Sequence, residues 1–195
     1  MHEVSLGATL RDYLTGQDVD HTTYEDLRQA LARLLVEELG HPRGLVEPRV
    51  RVRFDAPPVS LAAPTPSDDP DEGCRVVDLT LRDDDGTPLC IVLFCPGAPG
   101  TYVRESVAAA RLFPGGPAPL VAVTDTRDAV LVAAVDGAVL GEGMRALPKR
   151  DDLRRLAAEH PCPPLTPDRA EGERRILGAY TAFLKRCCGE DVCLL

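Results

Sequence analysis

Aromatic residues are scarce in this chain: tryptophan is absent, and tyrosine and phenylalanine make up 4% of its 195 residues. So few rings exclude a stacking platform for single-stranded nucleic acid. No GK[ST] pair follows the glycines at 115–116, which excludes a P-loop nucleotide site. No apolar run approaches the roughly 20 residues that cross a bilayer, and the N-terminus lacks the basic start and apolar core of a signal peptide. We therefore expect a cytoplasmic protein with no membrane partner.

Lysine is also nearly missing, since only Lys149 and Lys185 occur beside 20 arginines. The net charge is −9, which opposes a large phosphate-binding surface because non-specific DNA affinity depends on clustered lysine and arginine. Arginine at the expense of lysine, with frequent alanine, glycine and proline, is the composition that a GC-rich genome produces. It also favours basic side chains that pair with carboxylates.

Seven cysteines form an odd number in a chain without a secretion signal, which predicts reduced thiols. Cys187, Cys188 and Cys193, joined by His160 or Cys162, have the ligand types of a zinc site. Their spacing does not match the usual C-x₂₋₄-C pattern, so free thiols are the favoured interpretation and the zinc site is the alternative.

Two elements near the N-terminus have clear patterns. Thr22 and Glu25 form a capping box, and apolar residues then recur at helical spacing up to Gly40, which predicts a helix over 22–39. Residues 48–54 alternate strictly and predict a strand. One face carries Val50, Val52 and Phe54; the other carries Arg49, Arg51 and Arg53. This arginine face either contacts a phosphate backbone or is solvated and paired with acidic neighbours, and the acidic total favours the second interpretation.

The remaining chain predicts one α/β domain over 1–195. Residues 1–21 are an N-terminal arm with a short helical turn or extended segment around 6–14. Residues 55–73 are a flexible Pro/Asp-rich loop, and 187–195 a loose tail. Further strands are predicted at 75–82, 89–95, 119–124 and 129–134, and further helices at 102–112, 149–160 and 167–186. This order predicts a central mixed β-sheet flanked by helices on both faces.

The central hairpin, 74–99, carries the most informative pattern. Two apolar strands are joined by the turn DDDGT at 83–87, and Asp78 lies early on the first strand. The hairpin resembles that of the PD-(D/E)XK nucleases, and the whole chain resembles the N-terminal domain of the type I restriction enzyme R subunit. The matching segments are YLTG at 13–16, TTYEDLRQALARLLVEELGHPRGLVE at 22–47, DDDGTPL at 83–89, AAARLF at 108–113, VAVTDTRDAVLV at 121–132 and EGERRILGAYTAF at 171–183.

The resemblance implies a restriction-endonuclease-like core and Mg²⁺-dependent hydrolysis of DNA. In this chemistry two strand carboxylates hold the metal that activates water, and a lysine two residues after the second carboxylate stabilises the developing charge. Asp78 matches the first carboxylate, and it is either a residual metal ligand or a strand carboxylate paired with a nearby arginine. Leu93 and Cys95 occupy the positions of the second carboxylate and the lysine, where neither suits Mg²⁺. The candidates for a helix acid are Glu25, Glu37 and Glu38.

The sequence therefore predicts a catalytically inactive restriction-endonuclease-like protein that serves as a binding or interaction module and needs no cofactor. Its partner is DNA, a restriction-modification protein or other protein, or a second copy in a homodimer. One alternative is an active Mg²⁺-dependent DNA endonuclease with a site migrated around Asp78, in which Asp83, Asp84 and Asp85 hold a cation or Arg75 or Arg104 replaces the lysine. For the DDD turn itself, the favoured interpretation is a solvated turn whose aspartates form local backbone hydrogen bonds. Another alternative is an acidic protein–protein scaffold that does not bind DNA.

Overall fold

The computed structural model describes residues 4–54 and 73–187, with side chains up to Thr181. The predicted α/β class is confirmed: a six-stranded mixed sheet carries helices on both faces. Its strands are β3 (Val46–Arg53), β4 (Cys74–Arg82), β5 (Pro88–Phe94), β6 (Leu120–Thr124), β7 (Ala129–Ala133) and β8 (Val139–Glu142), adjacent in sequence order.

One parallel pair makes this sheet mixed. β5 and β6 run parallel, with Cys90 beside Leu120 and Phe94 beside Thr124, whereas every other neighbouring pair is antiparallel. The parallel connection requires a crossover, and it is made by helix α2 (Val103–Arg111). All seven residues of β5 are buried, as expected of a strand that is covered on both faces.

Two apolar clusters lie on opposite faces of the sheet. The first packs against α2 and helix α4 (Pro167–Cys187) and includes Val52, Ile91 and Leu177. The second packs against helices α1 (Glu25–Arg33) and α3 (Arg150–Glu159) and includes Leu35 and Leu153. From Cys90 to Leu93, successive residues of β5 enter the two clusters in turn, which is the period-two pattern of a doubly covered strand.

The capping hydroxyl predicted for the first helix is present: the amide of Glu25 donates to Thr22 Oγ1 over 3.1 Å. The helix differs at its end, because α1 continues as a π-helical turn over Leu34–Glu38. There the amide of Leu39 donates to the carbonyl of Leu34. Gly40 then adopts φ +75°, as predicted for a left-handed cap.

The N-terminal arm is extended over Ser5–Arg11, which is one of the two predicted alternatives. Its pairing was not predicted: β1 (Ser5–Arg11) and β2 (Asp18–Thr22) form a separate antiparallel hairpin. β8 was also not predicted, because four residues are too few for a periodic pattern. The predicted loop over 55–73 lies, except for Gly73, outside the described residues, as does the predicted tail beyond Cys187.

Candidate functional site

At Asp78, the two strands at the edge of the sheet, β3 and β4, exchange the faces to which their side chains point. In β3, Val46 belongs to the cluster under α1, but Val52 belongs to the cluster under α2. In β4, Leu79 and Val77 divide in the same way, although residues two apart on a regular strand share a face. The pairing places Arg49 opposite Asp78 at the point of reversal, and Arg49 has φ +57°. The left-handed backbone of Arg49 thus coincides with the reversal, and the pairing of β3 with β4 keeps the same register on both sides of it.

The Asp78 carboxylate is held by two donors from different elements. Its Oδ1 accepts a hydrogen bond from Arg28 Nε on α1 at 2.6 Å, and its Oδ2 accepts one from the backbone N–H of Phe94 at 2.8 Å. Paired residues of β4 and β5 extend from Arg82 and Pro88 to Leu79 and Val92. Just beyond the last of these pairs, the Asp78 carboxylate accepts the hydrogen bond from the Phe94 amide that a backbone carbonyl of β4 would accept in a regular ladder. Asp78 is 8% exposed, so both bonds form in a mostly dry environment.

Glu25 is the second carboxylate of this site and is 1% exposed. It accepts hydrogen bonds from Arg28 Nη1 at 3.2 Å and from Arg49 Nη2, and its other oxygen accepts one from Gln29 Nε2 at 2.8 Å. Arg28 thus bridges Asp78 and Glu25. We call Glu25, Arg28, Arg49 and Asp78 the edge network.

Gln29 connects the edge network to the N-terminal hairpin. Its Nε2 also donates to Asp12 Oδ2, and its Oε1 accepts from the amide of Tyr13, at 2.8 and 2.7 Å. Asp12 in turn accepts from the amides of Leu14 and Thr15, and the hydrogen bond to Gln29 lowers the pKa of Asp12 against the effect of its burial. The YLTG turn is therefore fixed to α1 by side chains that satisfy its backbone.

Leu93 and Cys95 lie on the other side of the sheet from the edge network. Both are 1% exposed and pack in the cluster beneath α2 and α4. The Cys95 thiol donates to the carbonyl of Gly97 at 3.1 Å, and burial raises its pKa to about 11. The β5 residues of opposite parity, Val92 and Phe94, are apolar too. Asp78 therefore contacts the backbone between Leu93 and Cys95, but the Leu93 and Cys95 side chains pack in the cluster beneath α2 and α4 and not with Arg28 and Glu25.

A buried ion pair stands on the Cys95 side of the sheet. Arg75 Nη2 of β4 donates to Glu105 Oε1 of α2 at 3.2 Å. Glu105 is 1% exposed, and its Oε2 has no hydrogen-bond partner, nor has Arg75 Nε. Burial raises the pKa of Glu105 above its ordinary value, although the Arg75 guanidinium acts in the opposite direction. Sequence reasoning did not identify Glu105, because nothing in its spacing distinguishes it from other acidic residues of amphipathic helices.

The other predicted helix acids and the DDD turn lie elsewhere. Glu37 and Glu38 are exposed at the far end of the first helix, about 18 Å along the axis from Glu25. Asp83 and Asp84 are paired with Arg150 and Arg154 of α3 at 2.9–3.2 Å. Asp85 accepts from the amide of Thr87, which lowers its pKa. The turn carboxylates therefore bind guanidinium and backbone N–H groups.

The predicted arginine face is present but is not uniform. Arg49, Arg51 and Arg53 are all exposed residues of the edge strand β3. Arg49 binds Glu25, as the paired interpretation predicted, so its guanidinium belongs to the edge network. Arg104, considered as a replacement for the lysine, instead binds Glu173 of α4 at 2.7 Å.

Charge is distributed unevenly along the chain. All 22 basic residues but only 23 of the 31 acidic residues lie within 4–54 and 73–187, which therefore carry a net charge of −1. Five of the remaining acids lie in 55–72, a stretch with no basic residue. The argument against phosphate binding from total charge therefore does not apply to residues 4–54 and 73–187 taken alone.

The edge network does not fit a divalent metal. Mg²⁺ requires oxygen ligands in near-octahedral geometry, but the carboxylates of Asp78 and Glu25 share the Arg28 guanidinium at 2.6 and 3.2 Å. A dication bound to both would lie against that positive charge. Within 4–54 and 73–187, no group of three or more His, Cys, Asp or Glu residues is arranged to hold a metal ion. Cys162 is half-buried, whereas the other cysteines of the zinc alternative lie where no side chain is described.

Comparison with known proteins assigns no family. No family model matches the chain, and neither a curated protein nor a solved structure matches it. Within the described part of the chain, no helix has the length and apolar character to cross a membrane.

Proposed function

We propose that this protein is a restriction-endonuclease-like domain, related to the N-terminal domain of the type I restriction R subunit, that binds a partner without hydrolysing DNA. The observation that carries the proposal is the double engagement of Asp78 by Arg28 and by the Phe94 amide. Both oxygens of the one acid that matches the nuclease pattern are used to hold α1 and β5 to β4. Asp78 is accordingly a structural residue.

The substitutions at the other two positions support the same proposal. Metal-assisted hydrolysis requires a second carboxylate, and the lysine beside it stabilises the transition state. Leu93 and Cys95 fill a buried apolar cluster instead. Introducing a carboxylate at Leu93 would place a charge in that cluster. Burial of even an uncharged polar group without a hydrogen bond costs about 2–7 kcal/mol, and an unpaired charge costs more.

The test is cleavage of supercoiled plasmid in Mg²⁺ and in Mn²⁺ by the wild type and by Asp78→Ala. We expect no cleavage by either protein. Cleavage by the wild type that disappears in Asp78→Ala would overturn the proposal. DNA binding over a salt series distinguishes the partners: affinity that falls with salt favours DNA, whereas no binding at low salt favours a protein partner and the acidic-scaffold alternative.

The second candidate is a Mg²⁺-dependent endonuclease with a migrated site. The Arg75–Glu105 pair favours it, because it places a carboxylate with an unpartnered oxygen and a guanidinium on the same side of the sheet as Leu93 and Cys95. The plasmid assay also tests this candidate through Glu105→Gln. Activity in the wild type that is lost in Glu105→Gln would establish it in place of the inactive module.

A further inference from the structure

The turn between β7 and β8 exposes two valines beside a groove. Val135 is 37% exposed and Val139 is 56% exposed, and they are two of the four large apolar residues that are exposed in 4–54 and 73–187. Between them in sequence, Asp136 and Gly137 line a groove of about 510 Å³. Val103 and Val107 of α2 and Tyr180 of α4 also line it. An apolar protrusion and a partly apolar recess thus adjoin on one face of the molecule.

The charges around this groove have both signs. Arg104 is 44% exposed at the groove while also binding Glu173. Asp136 also lines the groove, is exposed and accepts a hydrogen bond from the amide of Ala138. A partner of a single charge sign gains little from such a surface. A surface that carries both charges is complementary to a copy of itself when a two-fold axis places each cation beside the other copy's anion.

We propose that this face is a homodimer interface, in which the valines of each β7–β8 turn enter the groove of the second copy. An isologous contact requires protrusion and recess on one face, so that a single rotation satisfies both, and the β7–β8 turn supplies both. Arg104 of each copy then faces Asp136 of the other. The surface is small, so the dimer is weak. The interface involves α2, α4 and β8, away from the edge network, and it does not depend on the proposed loss of catalysis.

Sedimentation of the full chain over a broad concentration series tests this interface. The wild type should show a reversible monomer–dimer equilibrium, and Val139→Asp should weaken it at least tenfold, about 1.4 kcal/mol. Leu6→Asp is the matched control, because Leu6 is 54% exposed on the N-terminal hairpin; it should leave the equilibrium unchanged. A wild-type protein that stays monomeric at every concentration would overturn the proposal, even if it binds a different protein. Equal effects of the two substitutions would also overturn it.

A charge exchange tests the two-fold pairing itself. Arg104→Glu and Asp136→Arg should each weaken the dimer, because each places like charges together twice. An equimolar mixture of the two variants should dimerise more strongly than either alone, since both contacts become opposite in charge. A mixture no stronger than its components would contradict the proposed pairing. Circular dichroism melts check that Arg104→Glu, which also loses its contact with Glu173, remains folded.

Discussion

Two buried arginine–carboxylate sites lie on opposite faces of the same sheet, and they differ in how completely their hydrogen bonds are satisfied. In the edge network, Asp78 binds Arg28 and a backbone amide, and Glu25 binds Arg28, Gln29 and Arg49. In the pair beneath α2, by contrast, Glu105 Oε2 and Arg75 Nε have no partner.

This difference has consequences for the stability of the two sites. A buried carboxylate with every oxygen engaged holds its surroundings in one arrangement, whereas an unpartnered buried oxygen carries a desolvation cost of about 1–3 kcal/mol. The edge network joins α1, β3, β4 and β5, so its satisfaction stabilises the reversal of the sheet edge. The Glu105 pair joins only β4 to α2, and burial raises the pKa of Glu105 although the Arg75 guanidinium acts to lower it.

The largest expected effect comes from Arg28→Ala. This change leaves Asp78 and Glu25 without the guanidinium that they share, and breaking a buried pair costs about 3–5 kcal/mol. Urea unfolding measures the loss. Arg155→Ala is the control, because Arg155 is 56% exposed and binds only surface acids, and we expect it to cost at most about 0.5 kcal/mol. Equal costs for both changes would remove the structural role assigned to Arg28.

A smaller effect is expected at Arg49, where two substitutions distinguish the contribution of the side-chain charge from that of the left-handed backbone. Arg49→Ala removes the contact with Glu25, worth about 1 kcal/mol for a half-exposed pair, and leaves a side chain at φ +57°. Arg49→Gly removes the same contact but relieves a left-handed strain of about 1–2 kcal/mol. Although glycine is ordinarily the poorer strand residue, we expect Arg49→Gly to be the more stable variant in urea. The opposite order would mean that the left-handed backbone is not retained when the charge is removed.

The smallest effect concerns Glu105 and depends on pH. Because burial raises its pKa above 4.5, the folded protein retains this proton to a higher pH than the unfolded chain does. The stability that this retained proton contributes to the folded protein is fully present below pH 4.5, and it is lost as pH rises through the pKa of Glu105 in the folded state. Glu105→Gln is neutral throughout, so its stability relative to wild type should improve as pH rises above 4.5. Urea midpoints over a pH series measure this trend, and Glu142→Gln, at an exposed position of β8, is the matched control.

Sequence patterns predicted the regular part of the fold well. The two strands of the central hairpin and the helix over 22–39 depend on periodic apolar residues, and the structure places them within about three residues of their predicted bounds. The β1–β2 hairpin was not predicted because Ser5–Arg11 is almost entirely exposed and contains a left-handed glycine at Gly7, so no burial pattern marks it. Its position depends instead on the hydrogen bonds that Gln29 donates to Asp12 and accepts from the Tyr13 amide.

The candidate site was predicted only in part. Asp78 could be found because a family pattern includes it, and Leu93 and Cys95 could be recognised as uncharged from the sequence alone. The sequence gives no sign that the strands reverse at Asp78, since Arg49 is an unusual residue for a left-handed backbone. Arg28 and Arg49 are brought to the site by that reversal and by α1, and their contacts depend on three-dimensional placement.

The central claim is that Asp78 and Glu25 serve the fold through guanidinium groups and not through a divalent cation. Titration with Mn²⁺, followed by the electron paramagnetic resonance signal of the free ion, tests this claim on the wild type and on Asp78→Asn, with circular dichroism to check folding. We predict the same Mn²⁺ uptake by both proteins, because neither offers an open carboxylate at this edge. If the wild type binds Mn²⁺ and Asp78→Asn does not, the claim is contradicted and Asp78 is identified as a metal ligand.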